Sequence, residues 1–441
     1  MSFLLTLKNQ YLPDGSLRDR LARGAYWSFL GAFFAQGLRL LSNVVIARTV
    51  GREAFGEYGM VLSSVGMVAG LGGIGLGMSV SKHVAEFRGS DVDQAGSTIG
   101  VSLYSSAALG LIAAVLFYVL SPIIGVRLLR SESIVPLLHI GSVMICLGAI
   151  DGTLTNALAG FEAFQVIARI SLLKGIIEFP IVVISALLWG LPGALAGMVV
   201  SFAVACLVDV VAVRSVCRNH GVRIQFRHSR KSAATVVRFG IAVYLGSIIT
   251  QPAIWGANAL LVNQSGGYAE MGIFTAADKW RIATLFLPAA ISRIYLPVFS
   301  NLLAGGEYDR MKKVLHTVFM LTGFLATVMV FITLIFSEAI LGAFGRDFQG
   351  NRSILMILAT SGIFISLNTV LGQALLSMNK VWERFWYDFS LSIALVLASF
   401  LLVPPYKAAG LSMAYLLSFL AVTIGLTVFV NRTLRSVKAV A

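Results

Sequence analysis

Apolar runs of about twenty residues recur from one end of this 441-residue chain to the other, each long enough to cross the hydrocarbon core of a bilayer as a helix. They come in two matching sets. Displaced by 216 residues, Gly24 falls on Gly240, Gly51 on Gly267, Gly56 on Gly272, Tyr58 on Phe274 and Arg130 on Arg346. Displaced by 217, Asp151 meets Asn368, Asn156-Ala157-Leu158 meets Gln373-Ala374-Leu375, Gly193 meets Gly410, and Ser201-Phe202 meets Ser418-Phe419. No single coincidence carries weight. A series at one nearly constant offset, each member at an equivalent place among apolar segments, is an internal repeat. A repeated apolar half is the plan of a transporter whose halves rock against each other around a central site.

The composition agrees: 57% of residues are hydrophobic and 12% charged, where a soluble chain would carry about twice that charge. The runs do not alternate polar and apolar residues as barrel strands do. An all-α polytopic membrane protein is expected, with twelve helices near 25–47, 57–79, 97–120, 134–157, 167–189, 193–213, 239–262, 269–292, 314–336, 352–377, 382–403 and 408–430. Six helices per half is even, so both halves enter the membrane in the same sense. They are then related by a pseudo-two-fold axis along the membrane normal. The expected division is a first six-helix bundle over 1–213, a basic linker over 214–238 and a second bundle over 239–441.

The net charge of +14 would suggest nucleic acid in a soluble protein. Here it sorts by alternating loop. Segments on the side of the amino terminus hold about 23 Lys and Arg, against 7 on the other side (Arg48, Arg52, Arg127, Arg130, Arg346, Arg352 and Lys407). That bias places both termini in the cytoplasm and leaves no role for a nucleic-acid partner. Seven of the charges lie in the linker from Arg214 to Arg238, where contact with anionic membrane lipid is open to them. Phe3-Leu4-Leu5 is too short for the apolar core of a cleavable signal. The first span is expected to act as the insertion signal, with Ser16 to Arg23 as an amphipathic segment on the membrane surface. Cys146, Cys206 and Cys217 lack metal-ligand spacing and read as reduced and structural. No metal or cofactor motif is present. Gly70-Leu71-Gly72-Gly73-Ile74-Gly75 fits the dinucleotide pattern but has no strand before it; within a span, glycines allow close packing. The loops on the side away from the termini are too short to hold a catalytic domain, so an enzyme is not expected.

Ionisable residues inside spans need a partner, water or a purpose. In the first span Ala32, Gln36, Arg39 and Asn43 share one face. Arg39 either points into a central cavity and holds an anion, or snorkels or pairs with an acid on a neighbouring helix. Its distance of about 12–14 Å from Arg48 favours the cavity. The eighth span carries Asp278-Lys279-Trp280-Arg281. Asp278 and Arg281 partly neutralise each other and Lys279 is left in surplus. The cluster is either a salt-bridge lock between helices or a site for a phosphate-sized anion. Lys174 and Glu178, one turn apart in the fifth span, read as an intrahelical pair, with ion coupling through Glu178 as the alternative. Asp151 faces Asn368 in the repeat, which marks a polar depth in both halves. Asp209 and Asp388 are expected to reach the interface. Pro252 and Pro288 are candidate bend points.

Arg48-Thr49-Val50-Gly51-Arg52-Glu53-Ala54-Phe55-Gly56-Glu57-Tyr58 resembles the hallmark of polysaccharide flippases, a branch of the multidrug/oligosaccharidyl-lipid/polysaccharide exporter superfamily. Gly75 to Ala85, Leu296-Pro297-Val298-Phe299-Ser300 and Phe344-Gly345-Arg346-Asp347-Phe348 are similar to other stretches of that family, in the family's order. The resemblance implies two six-helix bundles forming a V around a cavity in the bacterial inner membrane. It implies alternating access, and a polyprenyl-pyrophosphate-linked oligosaccharide moved from the cytoplasmic to the periplasmic leaflet for O-antigen, exopolysaccharide or capsule synthesis. Other polysaccharide-assembly membrane proteins are its candidate partners. Basic residues of the first and eighth helices line the cavity in related flippases, and Arg39, Lys279 and Arg281 occupy those helices here. The alternative within the superfamily is an ion-coupled multidrug cation antiporter, which would want unpaired carboxylates where this chain has surplus positive charge. A major-facilitator plan is also two sets of six, but Ser79 to Ser97 lacks that family's loop pattern.

Overall fold

In the computed structural model of the protein, residues 17–72, 74–225, 248–292 and 295–440 are described, and among them every regular element is helical. The helices are α1 Leu17–Gly72, α2 Ile74–Phe87, α3 Val92–Pro122, α4 Ile134–Gly160, α5 Phe164–Asn219, α6 Ile248–Val262, α7 Gly267–Ser292, α8 Tyr295–Ala304, α9 Tyr308–Ile335, α10 Ser337–Phe344, α11 Arg352–Ser377 and α12 Val381–Val440. Three of these, α1, α5 and α12, each supply two spans joined at a break in helical dihedrals: Gly51 in α1, Trp189–Gly190 in α5 and Lys407 in α12. With α3, α4, α6, α7, α9 and α11 they make the twelve spans. Turns expected over 48–56, 190–192 and 404–407 are therefore shorter than the sequence suggests. Glycine makes two of the reversals possible by taking positive φ, 82° at Gly51 and 61° at Gly190.

The repeat is visible in the backbone. Gly193 has no room for a Cβ against the carbonyl of Ser185, and Gly410 has none against that of Leu402. These are the same hairpin contact, 217 residues apart. Gly56 packs on the carbonyl of Tyr268, while Gly272 packs on that of Arg52. Those four residues exchange under the 216-residue displacement, so the pseudo-two-fold axis passes between the second arm of α1 and α7.

The burial pattern is that of a membrane bundle. Large apolar side chains face outward, among them Leu187, Leu188, Leu207, Val211, Ile335, Phe400 and Leu401. Ser64, Ser106, Ser142, Ser361 and Ser412 are buried instead. Lipid rewards no segregation of Leu from Leu, so helices meet through small and hydroxylated residues. Many of these hydroxyls bond back to a carbonyl of the preceding turn, as Ser64 does to Met60 and Ser412 to Ala408.

The apolar core divides unevenly along the spans. Toward the end that carries Gly51, one cluster joins both halves: Ile46, Phe55 and Tyr58 of α1 pack with Ile273 of α7 and with Phe344 and Phe348. Toward the opposite end there are, among the described residues, two separate clusters. One holds Val84, Ile99, Leu158 and Val216 of the first half, the other Phe299, Met311, Leu371 and Leu426 of the second. The packing of the described residues is forked, joined at the Gly51 end.

Several expectations meet a different structure. Residues from Leu17 are already part of α1, so Leu17 to Arg23 do not form a separate surface helix. The preceding residues, Gly240 and most of the linker lie outside the described residues. What is described of the linker is ordered: residues 214–219 extend α5, and Gln225 donates its backbone N–H to the Gly96 carbonyl at 3.3 Å. Helix α7 continues through Pro288. Gly70 packs against Gln251 of α6, a close approach between the halves.

Candidate functional site at the seam between the halves

Helical rise places Arg39 and Lys279 at one depth. Each lies 12 residues from its glycine at the turn, Gly51 and Gly267, which is about 18 Å. The first arm of α1 brings Gln36, Arg39 and Asn43, its second arm brings Tyr58, the first arm of α5 brings Glu178, and α7 brings Lys279.

Arg39 donates from Nε to Glu178 Oε2 at 3.3 Å. The pair is unequal in burial, with the Arg39 side chain 50% exposed and Glu178 21%, so the guanidinium keeps free edges. Lys279 is partly buried, and its ammonium lies 5.9 Å from the centre of the Tyr58 ring across the seam. Among the described residues no carboxylate pairs with it. Tyr58 is fixed by stacking on Phe55 and by a hydroxyl contact to Met198 Sδ at 3.4 Å. Asn43 donates to the Arg39 carbonyl at 2.7 Å while its Oδ1 is buried without a partner. Thr275 Oγ1 and Asn258 Oδ1 are buried without a donor as well. Buried polar atoms of this kind are uncommon unless a ligand, water or a second conformation serves them.

Arg281 is disposed differently. Its Nε donates to Asp278 Oδ1 at 2.9 Å, Nη2 shares that oxygen, and the guanidinium lies over the Tyr415 ring at 5.4 Å. It is thus neutralised and turned into the second half, leaving Lys279 as the surplus charge of the Asp278-to-Arg281 cluster.

The fifth-span pair is not intrahelical. Lys174 Nζ donates at 2.7 Å to Asp151 and at 2.7 Å to Asp209, and Glu178 is taken by Arg39 instead. Asp209 does not reach the interface; its side chain is fully buried. Nor is Asp388 free at the aromatic belt. Arg384 grips it from two nitrogens, at 3.0 and 2.7 Å, and reaches Asn368 Oδ1 at 3.0 Å. The polar depth marked by Asp151 and Asn368 thus holds a cation in each half. Sequence reasoning missed Tyr58 as the neighbour of Lys279, although its repeat mate, Phe274, pointed to a buried ring at that level.

The halves are latched at the Gly51 end by hydrogen bonds. Arg48 donates to the carbonyl of Ala343 at 2.6 Å, and Arg52 to that of Ala269 at 2.9 Å and to Glu270 at 3.1 Å. Asn263 donates to the Leu128 carbonyl at 2.8 Å and the Tyr268 hydroxyl to that of Leu129 at 3.0 Å. Deeper in the seam Trp255 donates to Ser64 at 2.8 Å and Asn258 to Ser63 at 2.9 Å. Toward the forked end the contact of Phe33 with Phe286 is between rings, at 6.2 Å.

Two repeated six-span halves, latched at one end and carrying charge at mid-depth in the seam, make the architecture of a multi-pass membrane transporter. The chain belongs to the polysaccharide biosynthesis protein family, whose pattern it matches over residues 21–303. Residues 276–440 also match the lipid II flippase MurJ. The lipopolysaccharide biosynthesis protein WzxC of Escherichia coli K12 is 24% identical over 90% of this chain and 76% of its own length. The capsular polysaccharide biosynthesis protein CapF of Staphylococcus aureus is 24% identical over 43% of this chain, and this match spans only 46% of that relative. Among solved structures, an inward-facing multidrug resistance MATE transporter of the MOP superfamily superposes with a TM-score of 0.75 at 15% identity, covering 92% of this chain and 96% of that one. A MOP superfamily transporter from Pyrococcus furiosus gives 0.72 at 15%, covering 94% and 96%. At such identity these structures share the fold.

Proposed function

We propose that this protein is a flippase that carries a polyprenyl-pyrophosphate-linked oligosaccharide across the bacterial cytoplasmic membrane by alternating access, for O-antigen, exopolysaccharide or capsule assembly. Membership of the polysaccharide biosynthesis family and the match to the lipid II flippase MurJ support that substrate class. The observation that carries the mechanism is Lys279, an ammonium over the Tyr58 ring with no carboxylate partner among the described residues, at the same helical depth as the half-exposed Arg39. A pyrophosphate leaving water loses a large solvation energy, which fixed positive charge replaces. Arg39 supplies a planar fork for phosphate oxygens and Lys279 a compact point charge. Arg281, held by Asp278, acts in this scheme as a positioning group for α7. Gln36 and Asn43, one turn to either side of Arg39, offer amides to the same ligand.

The charge bias of the loops supports cytoplasmic termini. The Gly51 end then faces the periplasm, and the latch there holds the molecule open to the cytoplasm, where the lipid-linked precursor is made. The two halves, 1–213 and 239–441 joined by the basic 214–238 segment, would rock against each other, and the latch would part as the periplasmic side opens. An inside-negative potential assists outward movement of an anion by about 2.3 kcal/mol per charge per 100 mV. Nothing in this scheme calls on catalysis, metal or cofactor.

The test is export. Lys279→Glu and Arg39→Glu, at matched abundance in the membrane, should each lower surface polysaccharide and the translocation of a fluorescent polyprenyl-pyrophosphate saccharide in liposomes by at least about tenfold, the loss of one charge-assisted contact. Undiminished translocation by both variants would refute the cationic seam.

A further inference from the structure

The first half contains an ionic cluster that substrate binding does not use. Lys174, on the first arm of α5, donates to Asp151 Oδ1 of α4 and to Asp209 Oδ2 on the second arm of α5, both at 2.7 Å. Side-chain exposure falls from 24% at Asp151 to 12% at Lys174 and 0% at Asp209. Two carboxylates thus share one ammonium, and a net negative charge is enclosed by helices, where an uncompensated charge is strongly disfavoured. The hydrogen bonds do not balance either. Asp151 and Asp209 converge on the same Lys174 nitrogen, and two ionised carboxylates are both acceptors with no proton to share. Thr155 donates to Asp209 Oδ2 at 3.4 Å, while Asp209 Oδ1, wholly buried, has no donor.

One proton removes both faults. It brings the cluster to neutrality and supplies the missing donor between the carboxylates. We propose that Asp151, Lys174 and Asp209 form a proton-binding site inside the first half, with a single proton held by the carboxylate pair. The exposed part of Asp151 gives the proton its way in and out.

The neighbours leave the cluster to set its own occupancy. The second arm of α5 adds the Cys206 thiol, whose Sγ points to the Leu147 carbonyl at 3.4 Å. From α1 comes Arg39, already on Glu178. The second half offers an internal control. There Asn368 stands at the position of Asp151, and Arg384 faces the one carboxylate of Asp388, so charge balances without a proton.

A link to transport follows from spacing. Lys174 lies one turn from Glu178. A proton on the carboxylates weakens their hold on Lys174 and lets it compete with Arg39 for Glu178, releasing Arg39 to the seam. That link rests on the flippase reading, whereas the proton site does not.

Infrared spectroscopy of the full-length protein in nanodiscs tests the site directly. At neutral pH the wild type should show a carboxylic-acid carbonyl band from one buried group. Asp209→Asn should abolish it, and so should Asp151→Asn, which copies the neutral arrangement of the second half and guards against a folding failure in the first variant. Lys174→Met should strengthen it, because both carboxyls then protonate. A wild type without the band, or a band that persists in the folded Asn variants, overturns the proposal. Polysaccharide export has no part in this readout, so failure of the flippase reading would leave the spectrum unchanged.

Discussion

At the scale of single residues, the cationic seam is a difference between two arginines and a lysine. Arg281 has its carboxylate three residues away, Arg39 has one 139 positions away, and Lys279 has none among the described residues. The sequence disclosed the first relation, since helical spacing brings Asp278 and Arg281 together. It could not disclose the second, because periodicity orders residues within a helix and says nothing of which helix lies opposite. The same blindness paired Lys174 with Glu178 when its real partners sit on other spans. Glu178→Gln should therefore free Arg39 and raise affinity for inorganic pyrophosphate, read by equilibrium binding to the purified protein, by a few fold; unaltered binding would detach Glu178 from the site. A second residue-scale prediction concerns Lys407. It adopts φ 48° and ψ −123° where its repeat mate, Gly190, adopts φ 61° and ψ −140°. A side chain in that region costs about 1–3 kcal/mol. Lys407→Gly should raise the thermal midpoint of the detergent-purified protein despite the entropy glycine adds to the unfolded chain, and a lowered midpoint would show that the lysine is compensated locally.

At the scale of elements, the spans were legible and their joints were not. A run of twenty apolar residues announces a helix by length alone, which is why α3, α4, α9 and α11 lie where expected. The reversals at Gly51 and Gly190 use one or two residues, and a sequence window cannot separate helix ends that close. What the glycines of the repeat do became clear only in the packing. Gly56 and Gly272 each carry a neighbouring carbonyl where a side chain would stand. Gly56→Leu should separate α1 from α7 at a cost of about 3 kcal/mol, the upper end for forced overpacking. Its measurable signs are a lower thermal midpoint and loss of export, and wild-type stability would mean that the crossing yields freely. Gly66, with open space around it, is the control position and should accept Ala with little change.

At the scale of the whole molecule, the unequal division of the core sets the mechanics. One shared cluster at the Gly51 end and two separate clusters at the other mean that each half can move as a packed body, while the seam near Gly51 must open for the opposite state to form. Gly59 and Thr275 face each other there, with a Cβ at Gly59 falling 3.0 Å from the Thr275 Cβ, near the range a disulfide spans. Gly59→Cys combined with Thr275→Cys should cross-link under oxidant, stop export, and recover on reduction. Continued export by the cross-linked protein would mean that this end never parts. The native Cys146, Cys206 and Cys217 all lie on the first half and cannot bridge the seam among themselves. The two-half plan was readable because duplication leaves matched residues at constant offset. The fork was not, because depth-dependent packing has no counterpart in composition.

The reciprocal glycine contact carries one more implication. Gly56 on Tyr268 and Gly272 on Arg52 are a single interface met twice, and both halves thread the bilayer in the same direction. A six-span chain could therefore associate with a second copy of itself around the same axis, with no inversion needed. The covalent tether between the halves then serves chiefly to hold their local concentration high, and it frees each side to diverge. One carries an acidic cluster with room for a hydrogen ion, and the other has asparagine, Asn368, where the first has Asp151.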